Sequence, residues 1–221
     1  MNNDRKVLTR GCRAAIAVFA LLAGGTLVAA SPTADTDEEA RNAARSYVEN
    51  SVKGFLCGLQ PLTEELKKAN QSRAAWQPYT VDWKQWTPEE AKAHATSFTY
   101  GEYRWSALKD KDFRKSHTES GAAKELKKFQ EASGGRIAEL FVTDCFGANV
   151  AQTQVTSDWF QGDEPKYTEV KGKHDLFVDA PKRDDTVGQV GVQVSIPLWD
   201  TTGAEPTFIG VAVATVIVDK I

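Results

Sequence analysis

Apolar residues recur at helical spacing over the first half of the chain and alternate over its last third, and this change of period predicts helices leading into a sheet. Ala40, Ala43, Ala44, Tyr47, Val48, Val52, Phe55, Leu56 and Leu59 trace one buried stripe of a long helix. Thr36-Asp-Glu-Glu39 has the form of a capping box at its start. Gly58 and Pro61 bracket its end, and Leu62 to Ala69 fit a second short helix that stops at Asn70-Gln-Ser72. Thr87-Pro-Glu-Glu90 is another start signal, with threonine as cap and proline in the first turn, for a helix to about Ala95. Ser120 to Ala132 places Ala122, Leu126 and Phe129 on one helical face and ends at Gly134 and Gly135.

The strand signals follow. Arg136 to Thr143 is an apolar strand, Phe146 and Gly147 turn it, and Ala148 to Gln152 returns as the second arm of a hairpin. Asp144 caps that turn, because aspartate accepts backbone hydrogen bonds there. Thr156 to Tyr167 is polar, with Asp158 as a helix cap before Trp159. Asp175 to Asp179 is a short strand, and Pro181 to Gly188 a charged loop. From Gln189 to Leu198, Val190, Val192, Val194 and Ile196 fall on one face and Gln189, Gly191, Gln193 and Ser195 on the other, the pattern of a half-exposed antiparallel strand. Thr207 to Val218 is a final apolar strand. The expected class is α+β: an antiparallel sheet of about five strands, with the long N-terminal helix on one face and the segment from Ala151 to Phe177 over the other.

Charge and the first thirty residues place the chain. Arg5, Lys6, Arg10 and Arg13 precede an apolar, small-residue run from Ala14 to Ala30, with Val28 and Ala30 at the positions before a cleavage site. Residues 1–30 thus read as a signal peptide, with a retained anchor as the alternative. The predicted destination is the periplasm or another exported location. Without those residues, which carry four basic side chains and one acidic, the formal charge goes from −3 to −6. Such a balance gives no footprint for nucleic acid. Residues 31–72 then form an N-terminal helical segment and 73–221 one domain.

Candidate chemistry is sparse. His94, His117 and His174 lie outside any metal spacing, and no nucleophile elbow or phosphate loop is present. Asp179, Asp184 and Asp185 are interrupted by Lys182 and Arg183, against a calcium loop. The expectation is a protein without cofactor or metal that is not an enzyme. Cys57 and Cys145 remain after export, an even count that permits one disulfide, with two separate thiols as the alternative. The aromatic residues from Trp76 to Trp105 either line a groove or fill the core of an irregular segment.

Four pieces in order carry a family resemblance: the strand ending at Asp144 and Gly147; Thr156-Ser-Asp-Trp-Phe-Gln-Gly-Asp-Glu164; Phe177 to Pro181 followed by Asp184 to Gly188; and Val192 to Pro197 followed by Asp200 to Gly203 and Phe208 to Ala212. From about Glu139 to Asp219 the chain resembles the Cache (PDC) extracytoplasmic sensor domains, which are PAS-like. The resemblance implies a PAS-like sheet and a small ligand of undefined class held between the sheet and the segment after the hairpin. Trp159 and Tyr167 would be walls, Gln161 and Asp163 would hold polar ligand atoms, and Asp179 would take an amine. It also implies a sensor that acts without a fused output domain and signals through a membrane receptor or kinase. The alternative is a PAS-like interaction module without a ligand, a homodimer built through Tyr47, Val48, Val52 and Phe55.

Overall fold

The computed structural model describes residues 34–184 and 189–221. The signal peptide expected over residues 1–30 lies outside them, as do Asp185 to Gly188 of the charged loop. Among the described residues no helix is long and apolar enough to cross a membrane. Residues Pro32–Ile221 form one compact unit, so the helices expected as a separate segment share a core with the sheet.

The N-terminal helix runs as α1 (Ala34–Tyr47), a π-helical turn over Val48–Val52, and α2 (Lys53–Gly58). Thr36 is inside it rather than at its cap, because the helix already includes Ala34. The π turn has a reason in the sequence. Ala44, Val48, Val52 and Leu56 are all buried and all four residues apart. In a continuous α-helix each step of four overshoots a full turn by about 40°, so the stripe would wander off its face. One wider, i→i+5 turn brings it back into line. Leu59 then leaves helical geometry, and α3 (Gln60–Arg73) begins with Pro61 in its first turn.

Between α3 and the sheet lie α4 (Pro88–Lys92), α5 (Phe98–Glu102), a π-helical turn at Tyr103–Ala107, α6 (Lys111–Thr118) and α7 (Gly121–Ala132). The capping box at Thr87 and Glu90 forms as the sequence requires, although the helix ends at Lys92, short of Ala95. Ser120 caps α7, and Gly134 and Gly135 take positive φ after it.

The strands are β1 (Ile137–Asp144), β2 (Asn149–Gln152), β3 (Phe177–Val178), β4 (Lys182–Asp184), β5 (Gln189–Asp200) and β6 (Thr207–Ile217), with α8 (Pro165–Thr168) between β2 and β3. They form one antiparallel sheet in the order β2-β1-β6-β5-β3, with β4 also paired to β5. One face, carrying Leu140, Val142, Val192, Val194, Ile196, Ala212 and Ala214, packs against α1, α2, α3 and α7. The other carries Phe141, Val211 and Val213 and is covered by Tyr167 and Val170 of α8 and its exit. Asp158 caps no helix: Asn149 N–H donates to the Trp159 carbonyl at 2.9 Å, and Ala148 bridges Phe160, so the segment runs extended beside the hairpin.

Candidate functional site

The inner face of the sheet can be followed by register. Directly paired residues of antiparallel strands project to the same side. Gln152 pairs with Phe141, Phe141 with Val213, Val213 with Ser195, and Ser195 with Phe177. These five residues make one row across the five strands of the sheet path. Gln152 and Ser195 are fully buried, and neither the Gln152 amide atoms nor the Ser195 hydroxyl has a hydrogen-bond partner. The next row along the same face, Glu139–Thr215–Gln193, is polar. It runs into an open trough of about 270 Å³ lined by Ala138, Lys182, Arg183, Gln189, Gly191, Gln193, Thr215 and Ile217. Burial holds the Glu139 carboxyl above the usual glutamate range, against smaller opposing effects of the Gln154 bond and Lys166. The Lys166 ammonium lies 5.6 Å from the Phe141 ring and pairs with Glu164.

The cover over this face is fixed at the hairpin turn. Asp144 is fully buried and accepts from the amides of Phe146 and Ala148 and, at 2.6 Å, from Arg73 of α3. Asn70 accepts from the Cys145 amide and donates to the Ile209 carbonyl. Gly147, at φ +96°, lies back to back with Gly162, whose Cα would be 2.3 Å from any Cβ added there. The Gln161 amide donates to the Gly147 carbonyl at 2.7 Å, and the Tyr167 hydroxyl to the Cys145 carbonyl at 2.5 Å. Burial, with Asp144 and Cys145 adding to it, pushes the Tyr167 phenol up, so it stays a donor.

Ahead of that anchor, Trp159 enters an aromatic cluster with Phe98, Trp105 and Ala148, flanked by Trp76, Tyr79, Phe113 and Phe160. Its indole N–H donates to His117 Nε2 at 3.0 Å, and its backbone N–H and that of Phe160 donate to Glu102 Oε2 at 2.8 and 2.9 Å. Glu102 also accepts from the Ser106 hydroxyl. Burial raises the Glu102 carboxyl, against those three hydrogen bonds. Phe98, Tyr103 and Trp105 of the aromatic stretch are therefore core, while Trp76, Tyr79, Trp83, Trp86 and Tyr100 are half-buried.

The residues expected to bind ligand separate. Tyr167 lies on the inner face, in the cluster with Phe141 and Val213. Gln161 is buried in the same covering segment, its amide donating to the Asp158 carbonyl and its Oε1 without a partner. Trp159 is turned into the aromatic cluster, Asp163 is exposed, and Asp179 pairs with Lys182 at 2.9 Å and caps the Ala180 amide. Sequence reasoning missed Gln152 and Ser195. The signal for Ser195 was available, since it sits between Val194 and Ile196 in a strand with few charged neighbours, but alternation assigned it to solvent. Cys57 is exposed, Cys145 is half-buried, and both are free thiols rather than a disulfide. Among the described residues no group of three or more His, Cys, Asp or Glu side chains is placed to hold a metal ion.

No family model matches the chain, and no curated protein matches it. Solved structures do. The sensor domain of the V. cholerae histidine kinase DctB is 12% identical over 83% of this chain and 58% of its own, with a TM-score of 0.33. The sensory domain of the Campylobacter jejuni chemoreceptor Tlp3, with isoleucine bound, is 15% identical over 80% of this chain and 62% of its own, with a TM-score of 0.33. An extracellular ligand binding receptor from Desulfohalobium retbaense is 15% identical over 71% of this chain and 24% of its own, with a TM-score of 0.34. The chain spans less than two thirds of each. By their descriptions the first two are sensor or sensory domains and the third is a ligand binding receptor.

Proposed function

We propose that this domain is an exported sensor module that binds a small polar ligand on the inner face of its sheet and passes the state of that face to a receptor or kinase. The observation that supports it most directly is the row from Gln152 to Phe177. Two polar side chains are buried there with their hydrogen-bonding capacity unused. Leaving such groups unsatisfied costs about 1–3 kcal/mol each, and native interiors rarely tolerate it without a purpose. Gln152 offers a donor and an acceptor, and Ser195 can act as either. The ligand that fits carries both kinds of group and enters from the trough, where Gln193 and Thr215 continue the polar floor. Phe141 and Val213 between them supply the apolar wall that small-molecule sites combine with a few placed polar groups.

The test is a thermal-shift screen of residues 31–221 against carboxylates, amino acids, amines and purines, repeated with Ser195→Ala and Gln152→Leu. Both substitutions remove an unsatisfied group, so each is expected to leave the unliganded protein as stable or more stable, by up to about 1–2 kcal/mol. Each is expected to abolish the shift given by the ligand. A hit retained in full by both variants would refute the placement. The homodimer reading has less room, because Val48 and Val52 of its stripe are buried against the sheet and Phe55 stacks on Phe129 at 4.1 Å.

A further inference from the structure

His117 is a buried titratable group with both ring nitrogens hydrogen-bonded. It is 4% exposed. Its Nδ1 donates to the Phe113 carbonyl at 2.7 Å, and its Nε2 accepts the Trp159 indole N–H at 3.0 Å. With the carbonyl fixing the proton on Nδ1, only the neutral ring satisfies both partners. A proton added at Nε2 would set two N–H donors against each other. The ring edge also borders an open groove of about 510 Å³ between α3, α6 and α7, so solvent protons can reach it.

We propose that Thr156–Gln161 is an acid-released clasp: protonation of His117 expels the Trp159 indole and loosens the cover that this segment leads into. Trp159 cannot adjust in place, because Gly101 packs against its ring so closely that a Cβ there would lie 2.1 Å from it. The inference adds regulation to the inner-face site and rests on that reading only for its effect on ligand.

The charged groups around His117 have been considered element by element. From α3, Arg73 is paired with Asp144 and lies 5.0 Å from the Trp159 ring, and Glu65 is engaged by Ser120 and the Ala122 amide; Lys68 lines the same groove. From the π-helical turn before α6, Arg104 is paired with Asp110. Burial is the main cause that lowers the imidazole, to about 4, and the Arg73 and Arg104 charges add to it. Among the described residues the ring nitrogens meet the Phe113 carbonyl, the Ser116 hydroxyl and the Trp159 indole, and no carboxylate pairs with them. Glu102 acts with the opposite sign: its raised carboxyl binds a proton more readily in the docked state, so its titration favours docking in acid. For His117 the docked state binds fewer protons than the released one. Docking is therefore complete above about 6.5 and is lost as the pH falls toward 4.

Amide hydrogen exchange of the ligand-free protein, corrected for intrinsic rates, tests this. Between pH 7 and pH 5, peptides covering 156–170 should lose protection on the order of twentyfold, the ratio set by a ring held near 4 when docked and titrating normally when free. Peptides in β5 and β6 should not change. His117→Gln keeps an acceptor for the indole without a titration, so its profile should be flat; Glu102→Gln should steepen the wild-type profile. Loss of protection in 156–170 and in β5–β6 together, or a wild-type pH dependence retained by His117→Gln, overturns the proposal. Should His117→Gln not fold, the His117 Cε1 proton in the wild type decides: its titration must coincide with opening of 156–170, and titration near the ordinary value with the segment still docked overturns it. No ligand enters this experiment, so its failure and a failure of the ligand screen are separate results.

Discussion

Gly101 shows how much of this structure depends on single atoms. It is the fourth residue of the helical stretch from Phe98 to Ala107, in a position where any residue would suit the backbone. Its lack of a side chain admits the Trp159 ring, with three ring atoms within 2.6 Å of where a Cβ would sit. Gly101→Ala should therefore destabilise the protein by about 1–3 kcal/mol through overpacking. A fall in the urea midpoint with an unchanged slope would show it, and an unchanged midpoint would mean that the ring has room to move. Polar residues at this scale divide by whether their partners are local. Asp144 could be assigned from sequence because its partners are the amides of Phe146 and Ala148, two and four residues on. Arg73 on Asp144, 71 residues away, and His117 on Trp159, 42 residues away, could not.

Among the helices, α7 and the start of α4 match the sequence reading, whereas the box at Thr36 and the cap at Asp158 do not. Ser120, Gly134 and Gly135 delimit α7, and Thr87 with Glu90 opens α4. The segment after Asp158 has a helix-cap residue, but the hairpin claims its backbone first, through the Asn149 to Trp159 and Gln161 to Gly147 hydrogen bonds. Ser195 lies on the polar face of a strand read as half-exposed, and the segment expected over that face, here α8, buries it completely. The α7 cap is doubly used, since the Ser120 hydroxyl accepts from the Ala123 amide and donates to Glu65 of α3 at 2.7 Å. Ser120→Ala should cost about 1–2 kcal/mol, the upper end for a lost cap. Thermal denaturation of the variant would measure it, and a loss of only a few tenths would mean that Glu65 caps the helix unaided through the Ala122 amide.

At the scale of the molecule, the helices before Asn70 and the strands after Arg136 bury one another. Val48, Leu56 and Leu66 share a core with Leu140, Val194 and Ala214. The expected packing of the N-terminal helix on one face of the sheet is how this side of the interior is built. Residues 31–221 should unfold in a single transition, with far-ultraviolet circular dichroism and tryptophan fluorescence coincident. An earlier loss of helical signal would show that the first helix is docked loosely. The antiparallel sheet was legible because β1, β5 and β6 are long and apolar. The row from Gln152 to Phe177 was not, because it exists only when five strands are laid side by side.

The wide turn at Val48–Val52 has a consequence of its own. It holds one residue more than an α-helical turn needs. Removing that residue would let the helix close up without a break and leave everything before it facing almost as it does now, since the wide turn sweeps nearly the same angle as an α-helical turn with one residue fewer. The helix thus carries a spare residue stored in one turn, whose loss would shorten the chain by one position without redirecting either half.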